Sequence, residues 1–220
     1  MIGRTATLRG PRLRKANISS VAAFAVTALV ALQPIVVAQP CDARQKSDSA
    51  HSVIEEVHNG KSFCVSHALI KAKPDEVWHV LTDYSNAHRT FPMMKKCQVI
   101  EDRGHTKIMK HIVAPSGLPC TYEYVIELKE TDKKSLEWKR LSGSFKEVDG
   151  WWKLEPVDGG RHTQVTYATY VNGGMFMPQG MIRRQFRSDM PQVMALLTKH
   201  AENNTQIASR RDSGATTQSQ

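Results

Sequence analysis

Hydrophobic positions follow different spacings along this chain, and each spacing predicts a different element. Val21 to Leu32 is an uncharged, almost wholly apolar run. From residue 61 the pattern turns to alternation: Ser62 to Lys71 reads as a strand. Pro74 to Tyr84 opens with a proline and two acids, as the first turn of a helix prefers. Val77, Leu81 and Tyr84 form its apolar stripe, and Trp78 beside them reads as core filler. After a loop over 85–94 come six short strand signals, at 96–102, 105–113, 120–129, 135–141, 145–155 and 162–171. Their separators are short and rich in Gly, Pro, Asp and Ser, so neighbouring strands must run antiparallel. In the last apolar stretch, over 181–200, Ile182, Phe186, Met190, Val193 and Leu197 recur at helical spacing on one face. Pro191 is expected to kink or restart that helix, with Ser188 or Asp189 available as the new cap.

The order is therefore strand, helix, six-strand meander, long helix, an α+β chain with a curved seven-stranded antiparallel sheet. Such a sheet has one face to hide, and only the last helix is long enough to cover it. Residues 61–203 form the domain. Residues 39–60 read as a polar linker, and residues 204–220 as a disordered tail too polar to bury itself.

Length and charge sharpen this picture. The 220 residues, 40% of them hydrophobic, suit one domain with extensions. The formal charge of +9 is uneven, because residues 1–38 hold five basic residues (Arg4, Arg9, Arg12, Arg14, Lys15) and no acid, leaving +4 for the rest. That surface gives no reason to expect a nucleic-acid partner. Basic residues followed by an apolar run and then Val36-Val37-Ala38 read as an export signal cleaved after Ala38. The alternatives are an uncleaved anchor over 18–38 or a mitochondrial presequence. The expected location is periplasmic or secreted. There, Cys41, Cys64, Cys97 and Cys120 can pair in three ways or remain buried thiols. Cys97 with Cys120 is the favoured pair, as both begin strands separated by one hairpin arm. No cysteine or histidine spacing is that of a metal site, so neither a metal nor a cofactor is expected.

Three passages carry a family resemblance. Ile70 to Tyr84 sets a proline and acid before a Val-Trp pair, Gly150 to Tyr167 is a Trp-Trp hairpin, and Ile182 to Leu197 is a closing helix with an internal proline. Together they resemble the START-like, polyketide cyclase/dehydratase (SRPBCC) superfamily, nearest to its coenzyme-Q-binding branch. The resemblance implies a helix-grip fold over about 61–203, with the sheet wrapped around the long helix and a hydrophobic ligand held between them. The superfamily includes lipid carriers, quinone chaperones and aromatase/cyclases, so the likeness speaks to fold more than to function.

Alternation names the residues that would face such a cavity. Tyr122, Tyr124, Ile126 and Leu128 share one face, opposite Glu123 and Glu127. Leu136, Trp138 and Arg140 follow on the next strand, then Trp152 and Leu154, then Val165, Tyr167 and Thr169. Tyr122, Tyr124, Trp138, Trp152, Tyr167 and Phe186 are the candidate aromatic wall, equally what a filled core would contain. Arg140 must offset its desolvation with a ligand oxygen, a nearby Glu or rim water. At 105–113 the alternation is ambiguous, with Met109 and His111 on one face and Ile108, Lys110 and Ile112 on the other. His111 and Arg140 are the weak catalytic candidates, with no ordered partner visible for either. Arg183, Arg184 and Arg187 read as a solvated face or as a basic lip for an anionic membrane surface, with Gly173 to Pro178 as an apolar gate.

The expected function is binding or transport of a lipid, isoprenoid or quinone-like molecule. The rivals are an aromatase/cyclase or dehydratase acting on a polyketide-like substrate, and a protein-interaction module whose cavity is filled.

Overall fold

The computed structural model of the protein describes residues 51–215 apart from residue 176, with side chains described as far as residue 207. The expected export leader and the first part of the expected linker lie outside the described residues. The elements run β1 (Val53–His58), β2 (Lys61–Ile70), α1 (Pro74–Thr82), α2 (Ala87–Thr90), β3 (Met94–Asp102), β4 (Thr106–Val113), β5 (Tyr122–Thr131), β6 (Ser135–Gly143), β7 (Glu147–Val157), β8 (His162–Asn172) and α3 (Gln179–Ala215). One antiparallel sheet takes them in the order β1-β2-β8-β7-β6-β5-β4-β3, so the first strands close against the last. This is the α+β helix-grip architecture read from the sequence, with eight described strands instead of seven.

The additional strand is β1, which corrects the reading of residues 39–60 as a polar linker. It pairs with β2 from Val53 opposite Ser66 to His58 opposite Lys61. Asn59 and Gly60 turn the chain with φ of 51° and 75°, the left-handed pair that a tight hairpin demands. As an edge strand β1 needs few buried apolar residues, and its Glu-Glu centre hid it from a search for alternation.

Three further expectations are corrected. Residues 204–215 are not a disordered tail but a continuation of α3. The extension is tied down at its start: Glu202 accepts from the Lys71 amide at 2.9 Å, and Thr205 Oγ1 donates to Glu76 at 2.7 Å. Pro191 does not restart the helix, which runs through it. Cys97 and Cys120 do not form a disulfide; both are free, as is Cys64. Strand β4 lies between β3 and β5, and two strand spacings of ~4.8 Å already exceed the ~7 Å Cα separation a disulfide tolerates. Register widens the gap, because Cys97 pairs with His111 and His111 with Tyr124, four residues past Cys120.

Helix α1 buries Val77, Val80 and Leu81, while Tyr84 falls in the 3-10 turn that follows. The middle of α3 packs solidly: Val193, Met194, Leu197 and Ala201 meet Val77, Leu81, Ile70, Leu154 and Val165 in one core. The preceding turns lie over a different stretch of sheet, with Ile182 and Phe186 joining Phe145, Val148 and Val171. That division leaves the sheet filled at one end of α3 and roofed at the other. No helix among the described residues is long and apolar enough to cross a membrane.

Candidate functional site

Beneath the N-terminal half of α3 lies a cavity of about 260 Å³, somewhat under the ~300–1,000 Å³ common for ligand pockets. Register builds its floor, because paired residues of neighbouring strands share a face. One row runs Leu128, Trp138, Gly150, Thr169, and the next Leu136, Trp152, Tyr167. Trp138 occupies the space over Gly150, where a Cβ would collide with the indole and with the Ala168 carbonyl. Trp152 and Tyr167 stack with centroids 4.0 Å apart and planes 9° from parallel. Tyr122 and Tyr124 each lean on Phe145, at 4.9 and 5.5 Å.

Tyr122, Tyr124, Trp138, Trp152, Tyr167 and Phe186 all line this cavity. Arg140 does not: it pairs with Ile126 beside a bulge, and its Nη2 donates to the Gly143 carbonyl at 3.1 Å. His111 does line it, which settles the ambiguous face of β4: Met109, 1% exposed, and His111 point inward. The imidazole stands edge-on to Tyr124 at 5.5 Å, and its Nε2 lies 3.5 Å from Cys97 Sγ.

Burial dominates the electrostatics of these groups. It pushes His111 down to about 4 and the Cys97 thiol up to about 12, and it raises both Tyr124 and Tyr167. Near neutral pH the cavity thus presents a neutral imidazole, a protonated thiol and protonated phenols. Among the described residues no carboxylate orients His111, and the group within hydrogen-bonding distance of its ring is itself a poor base in the protonated form.

Two polar cavity residues escaped the sequence reading. Asp189, expected only as a helix cap, is 6% exposed and lines the cavity, as does Gln185. Gln185 Nε2 donates to Asp189 Oδ2 and to the Ser116 carbonyl, both at 2.9 Å, and the Ser116 amide reaches Oδ2 at 3.4 Å. These bonds latch the β4–β5 loop, which supplies Pro115 and Leu118 to the cavity mouth, onto α3. The signal was available: Asp189 is three residues after Phe186 and four before Val193, on the apolar stripe itself.

The mouth is apolar and open. Of its lining residues, Leu118 is 36% exposed and Met181 56%. Arg183 and Arg187 are not a free basic lip: both reach Glu55 of β1, at 3.4 and 2.6 Å.

A sheet gripping a long helix around an apolar cavity defines a helix-grip fold with room for a small molecule. Residues 70–198 match the family described as polyketide cyclase/dehydrase and lipid transport, and the chain belongs to that family. A START superfamily protein from Mycobacterium smegmatis superposes with a TM-score of 0.56 at 12% identity, over 64% of this chain and 97% of that one. A STAR-related lipid transfer protein from Xanthomonas axonopodis gives 0.56 at 14% identity, over 70% and 99%. The Zhui aromatase/cyclase from a Streptomyces species gives 0.54 at 14% identity, over 65% and 94%. Comparison with curated proteins by sequence gives no match. Family and neighbours span lipid transport and polyketide cyclisation alike.

Proposed function

We propose that the protein binds and carries a hydrophobic small molecule, of lipid, isoprenoid or quinone-like type, in the cavity beneath α3. The observation that carries this reading is an open apolar hollow whose histidine, thiol and phenols are all held uncharged. Its driving force is burial of ligand surface at ~25 cal/mol per Å². The open hollow also argues against an interaction module with a filled interior. Delipidated protein is expected to bind a fluorescent hydrophobe saturably at one site, with competition by unlabelled long-chain compounds. A signal that rises linearly without saturation would eliminate the proposal.

The cyclase reading draws on one specific feature, the inward grouping of His111, Tyr124 and Cys97. Against it stands the absence of an oriented acid-base pair at that grouping. In the same preparation, His111→Gln would abolish conversion of a poly-β-keto substrate if the enzyme reading held, and would leave hydrophobe binding in place.

A further inference from the structure

Among the described residues, four buried side-chain polar atoms have no hydrogen-bond partner: His51 Nδ1, Ser66 Oγ, Arg140 Nε and Asp189 Oδ1. Only Asp189 also lines the cavity. Its other oxygen is fixed by the Gln185 side chain and the Ser116 amide, so the carboxyl is held in one orientation with a single acceptor atom unused. Several other polar groups in the lining have partners of their own: Tyr84 donates to Glu130, the Tyr122 hydroxyl accepts from Cys120, and His111 contacts Cys97. A buried acceptor left unpaired costs the full desolvation of that group; Oδ1 is closed to water here, and a ligand donor that displaced the lining enough to reach it would recover that cost.

We infer that Asp189 is the polar anchor of the cavity, and that the hydrophobe it takes bears a hydrogen-bond donor, a hydroxyl or an amine, at the end that meets α3. An alkane leaves Oδ1 unpaired, and an ionised fatty acid, which has no donor, sets its own oxygens against an acceptor, so neither relieves it. The recognition is thus for an amphiphile of opposite hydrogen-bonding sense to a fatty acid. It also joins selectivity to closure, because the carboxyl that would accept from the ligand is the one that holds the β4–β5 loop over the mouth.

This inference rests on the carrier reading, and the experiment separates the two. The full chain is loaded with N-phenyl-1-naphthylamine, and the probe is displaced with 1-dodecanol, dodecylamine, dodecane and lauric acid. Dodecanol or dodecylamine is expected to bind ~10-fold or more tightly than dodecane and lauric acid, the worth of one good hydrogen bond to a carboxyl oxygen. In Asp189→Leu the donor-to-alkane affinity ratio should fall to within about twofold. Asp189→Asn, which keeps the side chain's shape and one acceptor, should lose the amine preference and keep part of the alcohol preference, guarding against a folding failure in the Leu variant. Equal binding of all four compounds by the unaltered protein would overturn the anchor, with a bound water satisfying Oδ1, and would leave the carrier reading standing. Displacement by none of them overturns both.

Discussion

An imidazole walled in by Met109, Tyr124 and Cys97 has no acid to hold a proton on it, and this makes the pH response of the domain specific at the scale of one residue. His111 is lowered by burial from its ordinary 6.5 to about 4. Because the folded pKa lies below the unfolded one, the unfolded chain binds the extra proton between those values. Stability from this residue is therefore complete above pH 6.5 and is lost as pH falls toward 4, by up to about 3 kcal/mol. Cys97 on β3 and Tyr124 on β5, the ionisable groups facing it, both stay protonated through that window. His111→Phe should flatten the loss of urea midpoint between pH 7 and pH 4.5. A variant whose midpoint falls as steeply as that of the unaltered chain would show that another group carries the acid sensitivity. At the same scale, the inward aromatic residues of β5, β6 and β7 were readable from alternation, since those strands set charged residues on the opposite face, whereas β8 with Tyr167 carries no acid to mark its outer side. His111 was not, because Ile108 and Ile112 make both faces of β4 apolar, and Met109 settles the matter only through packing. Asp189 was legible as an acid on an apolar helical stripe, but its capping role next to Pro191 offered a competing local explanation that the unbroken helix removes.

Pairs of strands decide how much of the cavity stays open. Trp138 of β6 lies across from Gly150 of β7, and the indole rests where a side chain would begin. Gly150→Ala cannot be absorbed by moving the tryptophan alone, since the new Cβ also meets the backbone oxygen of Ala168. The substitution should cost ~1–3 kcal/mol in chemical denaturation, as overpacking does, and should weaken hydrophobe binding by driving Trp138 toward the hollow. Unaltered stability would mean that the close approach of β6 and β7 is not what positions the indole. Among the elements, β2 through β8 announced themselves by turn residues and alternation within two or three residues of their ends. β1 did not, although its Asn59-Gly60 turn is a strong hairpin signal. Its sequence Val-Ile-Glu-Glu-Val-His has two adjacent acids where alternation breaks, and the reason for one of them lies 132 residues away in α3, with Arg187. Contacts of that range leave no local period to read.

For the whole molecule, the balance of charge on the roof helix follows from that same strand. Arg183, Arg184 and Arg187 on the roof helix would suit an anionic lipid surface, but Glu55 pairs with two of the three and offsets them. Glu55 thereby does two things: it fastens the edge strand to the roof helix, and it holds down the positive potential of that helix. If the helix meets membranes, removing the carboxylate should strengthen that meeting even as it loosens β1. Glu55→Gln keeps the size and hydrogen-bonding capacity of the side chain and removes one negative charge. The expected gain is about 1 kcal/mol, roughly fivefold in affinity for phosphatidylserine-containing vesicles, and none for neutral phosphatidylcholine vesicles. Raising salt should shrink the difference, because these charges are solvent-exposed. Co-sedimentation of both proteins with each vesicle type measures it directly. Equal binding to the anionic vesicles would sink the membrane reading of the arginines and leave Glu55 with the purely structural role of holding the first strand against the last helix.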